Sequence, residues 1–544
     1  MNKGYNTKGI IPFGSSLARS CPCKHGRDLA PFVNEYERAA GILLAVSSLP
    51  SPYGIGTMGE AARAWLRFLK DSGQKYWQIL PLGPTGWGDS PYQSFSAFAI
   101  SAYYIDLDTL IEQGLLLPQE VNTVRWSKKA NAVDYAVLYR RREPLLRMAW
   151  ARFAQAQNDA QPRYMQSKFD EFCSQNSFWL EDYSLFMAIK KKNRGRSWLE
   201  WDEALKLREN AAMRKMKRKL AGEIRYYSFV QYIACTQWQE IKNYAHSLGI
   251  AIIGDMPIYV AVDSADAWAN SELFLLDEER RPLRVAGCPP DSFTRDGQLW
   301  GNPLYRWDKI AETGFAWWIA RLRFNFALYD IVRIDHFRGF ESFFSIDAAA
   351  ADASGGKWVK GPGLAFIEAV NRALPDAAII AEDLGFLTAE VQALLEASGY
   401  PGMKVLQFAF DSREPGSYMP YTYDRHCVVY TGTHDNPTTR GWFKSAPAES
   451  VQVALEFFGL NNRKEGHGAF IRCALASVAH TAIIPMQDYL GLDDRARMNT
   501  PSTLGGNWQW RMPPGAATAA LAEEIRRLTS LFGRTAAACR TTSC

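Results

Sequence analysis

The chain has 544 residues, 47% apolar and 22% charged, with 62 Lys and Arg against 57 Asp and Glu. This composition excludes a mostly disordered chain and a fibrous repeat, and no apolar run nears the roughly 18 residues that a membrane-spanning helix needs. The net charge of +5 is small for this length, so nothing at whole-chain level calls for nucleic acid or a membrane surface as partner.

At roughly 150 residues per domain, the length fits three or four domains or one large barrel with insertions. Residues 1–40 read as an N-terminal tail of unknown role. Its first 27 residues carry Lys3, Lys8, Arg19, Lys24 and Arg27 and no acid, so an organelle (plastid-type) transit peptide is the alternative reading. Nine scattered cysteines fit reduced thiols better than a disulfide framework, which points to the cytoplasm.

Strand-like apolar runs follow at 42–46, 76–82, 250–260, 331–334, 377–381, 405–410, 428–430 and 482–484. They are continuously apolar rather than alternating, as expected of parallel strands covered on both faces. Helical patterns lie between most of them. Ala62, Trp65, Leu66 and Leu69 share one face of a helix that ends at Gly73. Thr388 caps a helix ending near Gly399. Further helices are predicted at 315–329, 363–374, 448–458 and 517–532.

Eight strands alternating with helices predict an α/β fold, a closed (β/α)8 TIM barrel spanning 41–532. Two intervals are too long for ordinary connections. Residues 83–249 hold helical patterns at 138–158, 178–191 and 223–248 and read as a helical insertion subdomain. Residues 261–312, rich in Gly, Pro, Asp and Trp, read as an active-site loop insertion. Residues 533–544 read as a C-terminal tail. Lysines and arginines clustered at 190–196 and 214–219 read as solvated helix faces.

Four predicted strands end in acids: Asp255, Asp335, Glu382 and Asp435. Strand C-termini are where such a barrel builds its active site. Buried carboxylates are costly without a partner or a task, and four on one rim point to shared chemistry. Arg333 and Asp335 are two apart, so on a strand they point the same way, and Arg333 is expected to keep Asp335 ionised. Glu382 closes an apolar run, where desolvation is expected to make it hold its proton. One ionised and one protonated carboxyl form the machinery of retaining glycoside chemistry. Asp435 then holds sugar hydroxyls and stabilises positive charge at the anomeric carbon, with His434 donating to a hydroxyl. Aromatics at 13% suit either a large core or a groove for sugar rings. The alternatives are a hydrolytic α-amylase-type glycosidase, a non-catalytic glucan-binding protein on the same fold, and a metallohydrolase whose metal is held by His336, His434 and the aspartates.

The segments Arg333-Ile334-Asp335-His336-Phe337-Arg338, Ala381-Glu382-Asp383-Leu384-Gly385 and Thr433-His434-Asp435-Asn436 resemble signature segments of the α-amylase clan. Together with residues 48–56, 81–98, 289–303 and 505–511, in that order, the chain most closely resembles the 4-α-glucanotransferases of glycoside hydrolase family 77, also called amylomaltases or disproportionating enzymes. The resemblance runs from about residue 41 to about 532. It implies retaining transfer of α-1,4-glucan segments between maltodextrins through a covalent glycosyl-enzyme. On that match Asp335 is the nucleophile, Glu382 the acid/base and Asp435 the transition-state-stabilising carboxylate. Arg333 and His434 surround the reacting glucose, while Asp255, Ser90 and Tyr92 line the groove. Asp291, Phe293, Gln298 and Trp300 belong to a flexible loop over the acceptor side. Trp87 matches a position of a second glucan site, and Tyr53 is counted with the substrate-binding residues. The implied partners are α-1,4-glucans such as maltooligosaccharides and amylose; no cofactor, metal, nucleic acid or membrane is implied, and the oligomeric state stays open. Two departures stand out: Pro437 where an acid is expected, and Ser292 where an aromatic is common.

Overall fold

The computed structural model describes residues 38–86, 88–155, 160–290, 295–385, 387–411 and 418–535, with backbone alone for 160–163. Among them are twelve strands: β1 (Ala39–Leu43), β2 (Tyr76–Gln78), β3 (Ala251–Met256), β4 (Arg284–Cys288), β5 (Gln298–Pro303), β6 (Ile331–Ile334), β7 (Ser342–Asp347), β8 (Lys357–Lys360), β9 (Ile379–Ala381), β10 (Gly402–Val405), β11 (Cys427–Tyr430) and β12 (Thr481–Pro485). Eight form one parallel sheet in the order β10-β11-β12-β1-β2-β3-β6-β9. First and last meet in sequence terms at β1 and β12, where Ala39 lies opposite Thr481 and Leu43 opposite Pro485. Helices cover the outside and side chains fill the inside, so all of β1, β2, β3, β6, β9 and β11 is buried. Between β9 and β10 the sheet is held by one main-chain bond, Ala381 N–H to Pro401 O at 3.0 Å, so the barrel is nearly closed.

The helices follow the predicted periodicity. Glu60–Asp71 buries Ala62, Trp65, Leu66, Phe68 and Leu69. The Thr388 hydroxyl accepts from Val391 N–H and caps Ala389–Ser398, and Gly399 ends that helix in the left-handed conformation. Ala316–Leu328, Gly363–Ala373, Ala448–Phe458 and Ala519–Leu531 occupy the other predicted sites. The interval after β2 contains long helices at Tyr135–Gln155, Ala160–Gln175, Ser177–Lys192 and Ala221–Ser247.

Four readings need correcting. The run at 405–410 is not a strand: β10 is Gly402–Val405, and Leu406–Ala409 is helical. Leu406 and Phe410 are buried in the core there, so the apolar run outlasts the strand. The interval 261–312 is more than a loop. It carries β4 and β5, which pair antiparallel and join β7 and β8 in a second sheet ordered β5-β4-β7-β8. Lys190 is no solvated cation: its side chain is buried and paired with Asp263 at 2.5 Å. Arg534, assigned to the C-terminal tail, is fully buried and donates to the carbonyls of Ala39, Leu475, Ser477, Ala479 and His480, so the fold reaches past residue 533.

Candidate active site

Asp255, Arg333 and Glu382 come from the neighbouring strands β3, β6 and β9, with Asp255 opposite Arg333 in register. Gly254 lets β3 approach closely, since a Cβ there would meet the Tyr329 ring. Arg333 Nη1 donates to both Asp255 oxygens at 2.7 Å and to Asp335 Oδ1 at 3.1 Å. Tyr92 Oη donates to Asp255 Oδ2 at 2.8 Å. Asp255 is therefore a buried anchor, filled by a guanidinium and a phenol.

Asp335 and Glu382 are stitched together through their backbones. His336, left-handed at φ 55°, turns the chain after Asp335. Its N–H donates to Glu382 Oε2 at 2.6 Å, and Leu384 N–H donates to Glu382 Oε1 at 2.9 Å. Glu382 N–H reaches Ile334 O and Phe337 N–H reaches Glu382 O, each at 3.0 Å. Burial pushes Asp335 up to about 6, against the pull of Arg333. Burial pushes Glu382 up to about 7, with Arg333 again opposing and the Asp335 charge adding to the rise. Arg333, expected to keep Asp335 ionised, does lower the Asp335 pKa, but desolvation outweighs it, and the guanidinium lies closer to Asp255. Both carboxyls are thus held above the ordinary carboxylate range, Asp335 less so than Glu382.

The loop after β11 supplies the other wall. The His434 ring stacks on Tyr92 (5.2 Å, 14°), with Trp508 as a third ring at 5.9 Å from His434. His434 Nε2 is 3.4 Å from Asp435 Oδ2. Asn499 Nδ2 donates to Asp435 Oδ1 at 2.6 Å, and Arg497 Nη2 donates to the Asp435 carbonyl at 2.5 Å. The Asp435 side chain is 43% exposed, open to a ligand. Buried Asp488, just past β12, accepts from the hydroxyls of Thr431 and Thr439, both at 2.6 Å, and pins the two ends of this loop.

Gln298 and Trp300 lie on β5, where Gln298 Oε1 accepts from Trp300 Nε1 at 3.0 Å. Trp300 stands edge-on to His336 at 4.9 Å, which brings β5 to the carboxylate rim. Gln93 moors that strand, donating to Trp300 O at 3.3 Å and Asn302 Oδ1 at 3.0 Å. Ser90 acts locally, its hydroxyl accepting from Tyr92 N–H at 3.3 Å. Tyr53 does not join the cluster: it is buried, its hydroxyl donates to Asp108 and its ring meets Trp126 edge-on. Trp87, Asp291, Ser292 and Phe293 lie outside the described residues. Pro437 keeps a local task, its carbonyl accepting from Gln407 Nε2 at 2.9 Å.

Sequence reasoning missed Asn499, Arg497 and Asp488, which are defined by long-range contacts rather than by a local pattern. Trp508 had a signal, since it lies in the segment 505–511 flagged by resemblance. Among the described residues no group of three or more His, Cys, Asp or Glu is arranged to hold a metal ion, and no helix is long and apolar enough to cross a membrane.

The sequence profile of glycoside hydrolase family 77, described as 4-alpha-glucanotransferase, matches residues 44–518. The 4-alpha-glucanotransferase of Clostridium butyricum is 45% identical over 491 residues, covering 90% of this chain and 99% of its own. That of Thermus thermophilus is 46% identical over 508 residues, covering 91% and 100%. A chloroplastic/amyloplastic 4-alpha-glucanotransferase of Oryza sativa subsp. japonica is 41% identical over 510 residues, covering 93% and 85%. Among solved structures, the amylomaltase of Streptococcus agalactiae in complex with acarbose superposes with a TM-score of 0.88 at 38% identity, covering 92% of this chain and 100% of that one. By sequence and by fold along nine-tenths of its length, the chain belongs to the 4-alpha-glucanotransferase family, glycoside hydrolase family 77, whose reaction, the transfer of glucan segments between α-glucans, it carries out.

Proposed function

We propose that Asp335 is the nucleophile, Glu382 the acid/base and Asp435 the carboxylate that stabilises the transition state. The Asp335 carboxylate attacks the anomeric carbon of an α-1,4-glucan while the Glu382 proton passes to the leaving glycosidic oxygen. A shortened glucan or glucose departs, leaving a glycosyl ester on Asp335. Glu382, now ionised, takes the proton from the 4-hydroxyl of a second glucan, whose oxygen bonds to the anomeric carbon and frees Asp335. The observation that carries this reading is the junction of the two carboxyls. The Glu382 carboxyl is held by the N–H of the residue after Asp335.

Arg333, His434, Asp255 and Tyr92 orient the reacting glucose. Gln298 and Trp300, with Asp291 and Phe293, border the acceptor side, and Trp87 serves a second glucan site away from the centre. Maltooligosaccharides and amylose are the substrates, in keeping with the acarbose held by the Streptococcus agalactiae relative. The thiols of Cys173, Cys235, Cys427 and Cys473, free among the described residues, support work in a reducing cytoplasm. The catalytic unit is the barrel of residues 39–534 with its insertions at 83–249 and 261–312. Incubation with maltotriose followed by product sizing tests the reading. A ladder of longer maltodextrins with glucose is expected, whereas shortening alone contradicts transfer.

A further inference from the structure

The seam between β9 and β10 is held by two bonds of different kinds. One is the main-chain bond from Ala381 N–H to Pro401 O at 3.0 Å. The other runs from Met403 N–H on β10 to the carboxylate of Asp383, Oδ1 at 2.6 Å, a side chain standing where a ladder has a carbonyl. Asp383 directly follows Glu382 and is 3% exposed. Burial raises its pKa, opposed by the Met403 N–H and then by Lys404. A carboxylate at this depth is a costly way to satisfy one N–H. The opposite strand is cut to fit it: a Cβ at Gly402 would lie 2.7 Å from an Asp383 carboxylate oxygen.

The same peptide segment carries the acid. Glu382 N–H and C=O are tied to Ile334 and Phe337 on the β6 side. Asp383 ties the next residue to β10. Glu382 is thus fixed from both flanks, and the second tie is a side chain.

We propose that Asp383 is a positioning residue for Glu382: by closing the seam it fixes the direction from which the proton reaches the glycosidic oxygen. The inference rests on Glu382 being the acid/base. It makes a chemical distinction. With a glucan donor, the C1–O bond breaks as the Glu382 proton moves to that oxygen and Asp335 bonds to C1. With α-maltosyl fluoride, the C1–F bond breaks and fluoride leaves as the anion, so no proton is needed. A misdirected acid slows the first reaction and spares the second.

The test uses the full chain with Asp383→Ala, Asp383→Asn and Gly402→Ala, and Glu382→Gln beside them. Each is assayed for maltotriose disproportionation and for the pre-steady-state burst of fluoride from α-maltosyl fluoride. Asp383→Ala and Gly402→Ala are expected to lose about 30-fold or more in maltotriose turnover while the burst rate stays within about threefold. Asp383→Asn keeps an acceptor oxygen for Met403 N–H and is expected to lose less than about fivefold with maltotriose. Should Asp383→Ala fail to fold, Gly402→Ala decides, because it displaces the carboxylate without removing it. Equal losses with both donors, unchanged maltotriose turnover, or an Asn variant as impaired as Ala would each overturn the proposal. If Glu382→Gln spares the burst and Asp383→Ala does not, the positioning role alone is wrong. If Glu382→Gln loses both activities equally, the acid/base reading fails and this inference falls with it.

Discussion

The rim has two halves built on different principles. On one half Asp255, Arg333, Asp335 and Glu382 stand on or just after the adjacent strands β3, β6 and β9, tied by charge and backbone bonds. On the other, Asp435 and His434 sit on the loop after β11, held by an amide, two rings and a pair of threonines around Asp488. The first half lies deeper, Asp335 being 28% exposed against 43% for Asp435, so partial desolvation raises both of its carboxyls. In the second half the Asp435 side chain is open to solvent while the His434 ring is buried. Changes in the first half should act on bond breaking, and changes in the second on how well the sugar is held in the transition state.

The largest effect is expected at Asp335. Asp335→Asn keeps the shape but removes the attacking charge, and transfer should fall at least about a thousandfold with the thermal melt retained. Near-normal turnover in the folded variant would move the nucleophile elsewhere and dissolve the distinction between the halves.

Acidity offers a second way to break it. Activity should rise with pH as Asp335 loses its proton near 6 and decline as Glu382 loses its own near 7, so the optimum falls between these values. Both carboxyls are raised above their unfolded values, so between those values and the folded ones the native state binds more protons than the unfolded state. Stability therefore falls as pH rises through that window. Glu382→Gln should raise the melting temperature at pH 8 and leave it unchanged at pH 4, where both forms are neutral. A variant equally stabilised at both pH values would show that packing, not ionisation, governs this half.

The open half should respond more gently. Asn499→Ala removes one bond to Asp435 and should cost about tenfold in kcat with little change in KM, because the third carboxylate matters most as charge develops. A rise in KM alone would make Asn499 a binding residue. Smaller still, Trp300→Ala should raise the ratio of hydrolysis to transfer about two- to fivefold by letting water past the β5 edge. Proportionate losses in both reactions would remove β5 from the acceptor side.

The contrast between the halves also explains what could be read from sequence. Parallel strands with both faces covered write themselves as apolar runs, and the acids of the buried half end such runs, so Asp335 and Glu382 were legible from position alone. The second sheet was not, because all four residues of β8 are exposed and leave no apolar run. The run at 405–410 misled because burial continues into a helical turn. Asn499 and Asp488 escaped for a different reason. They act through contacts with segments distant along the chain, and nothing in the neighbouring residues marks an amide or acid as a tether.

The division of labour between the two carboxyls of the buried half is tested most directly by trapping the intermediate. Glu382→Gln lacks the base that activates the acceptor, so brief exposure to α-maltosyl fluoride should let the glycosyl-enzyme accumulate. Denaturation, tryptic cleavage and mass spectrometry then locate the sugar. The account predicts a maltosyl adduct on the peptide from Ile334 to Arg338, with Asp335 as the modified residue. An adduct on a peptide carrying Asp435 or Asp255, or fluoride release with no adduct on any peptide, would contradict it.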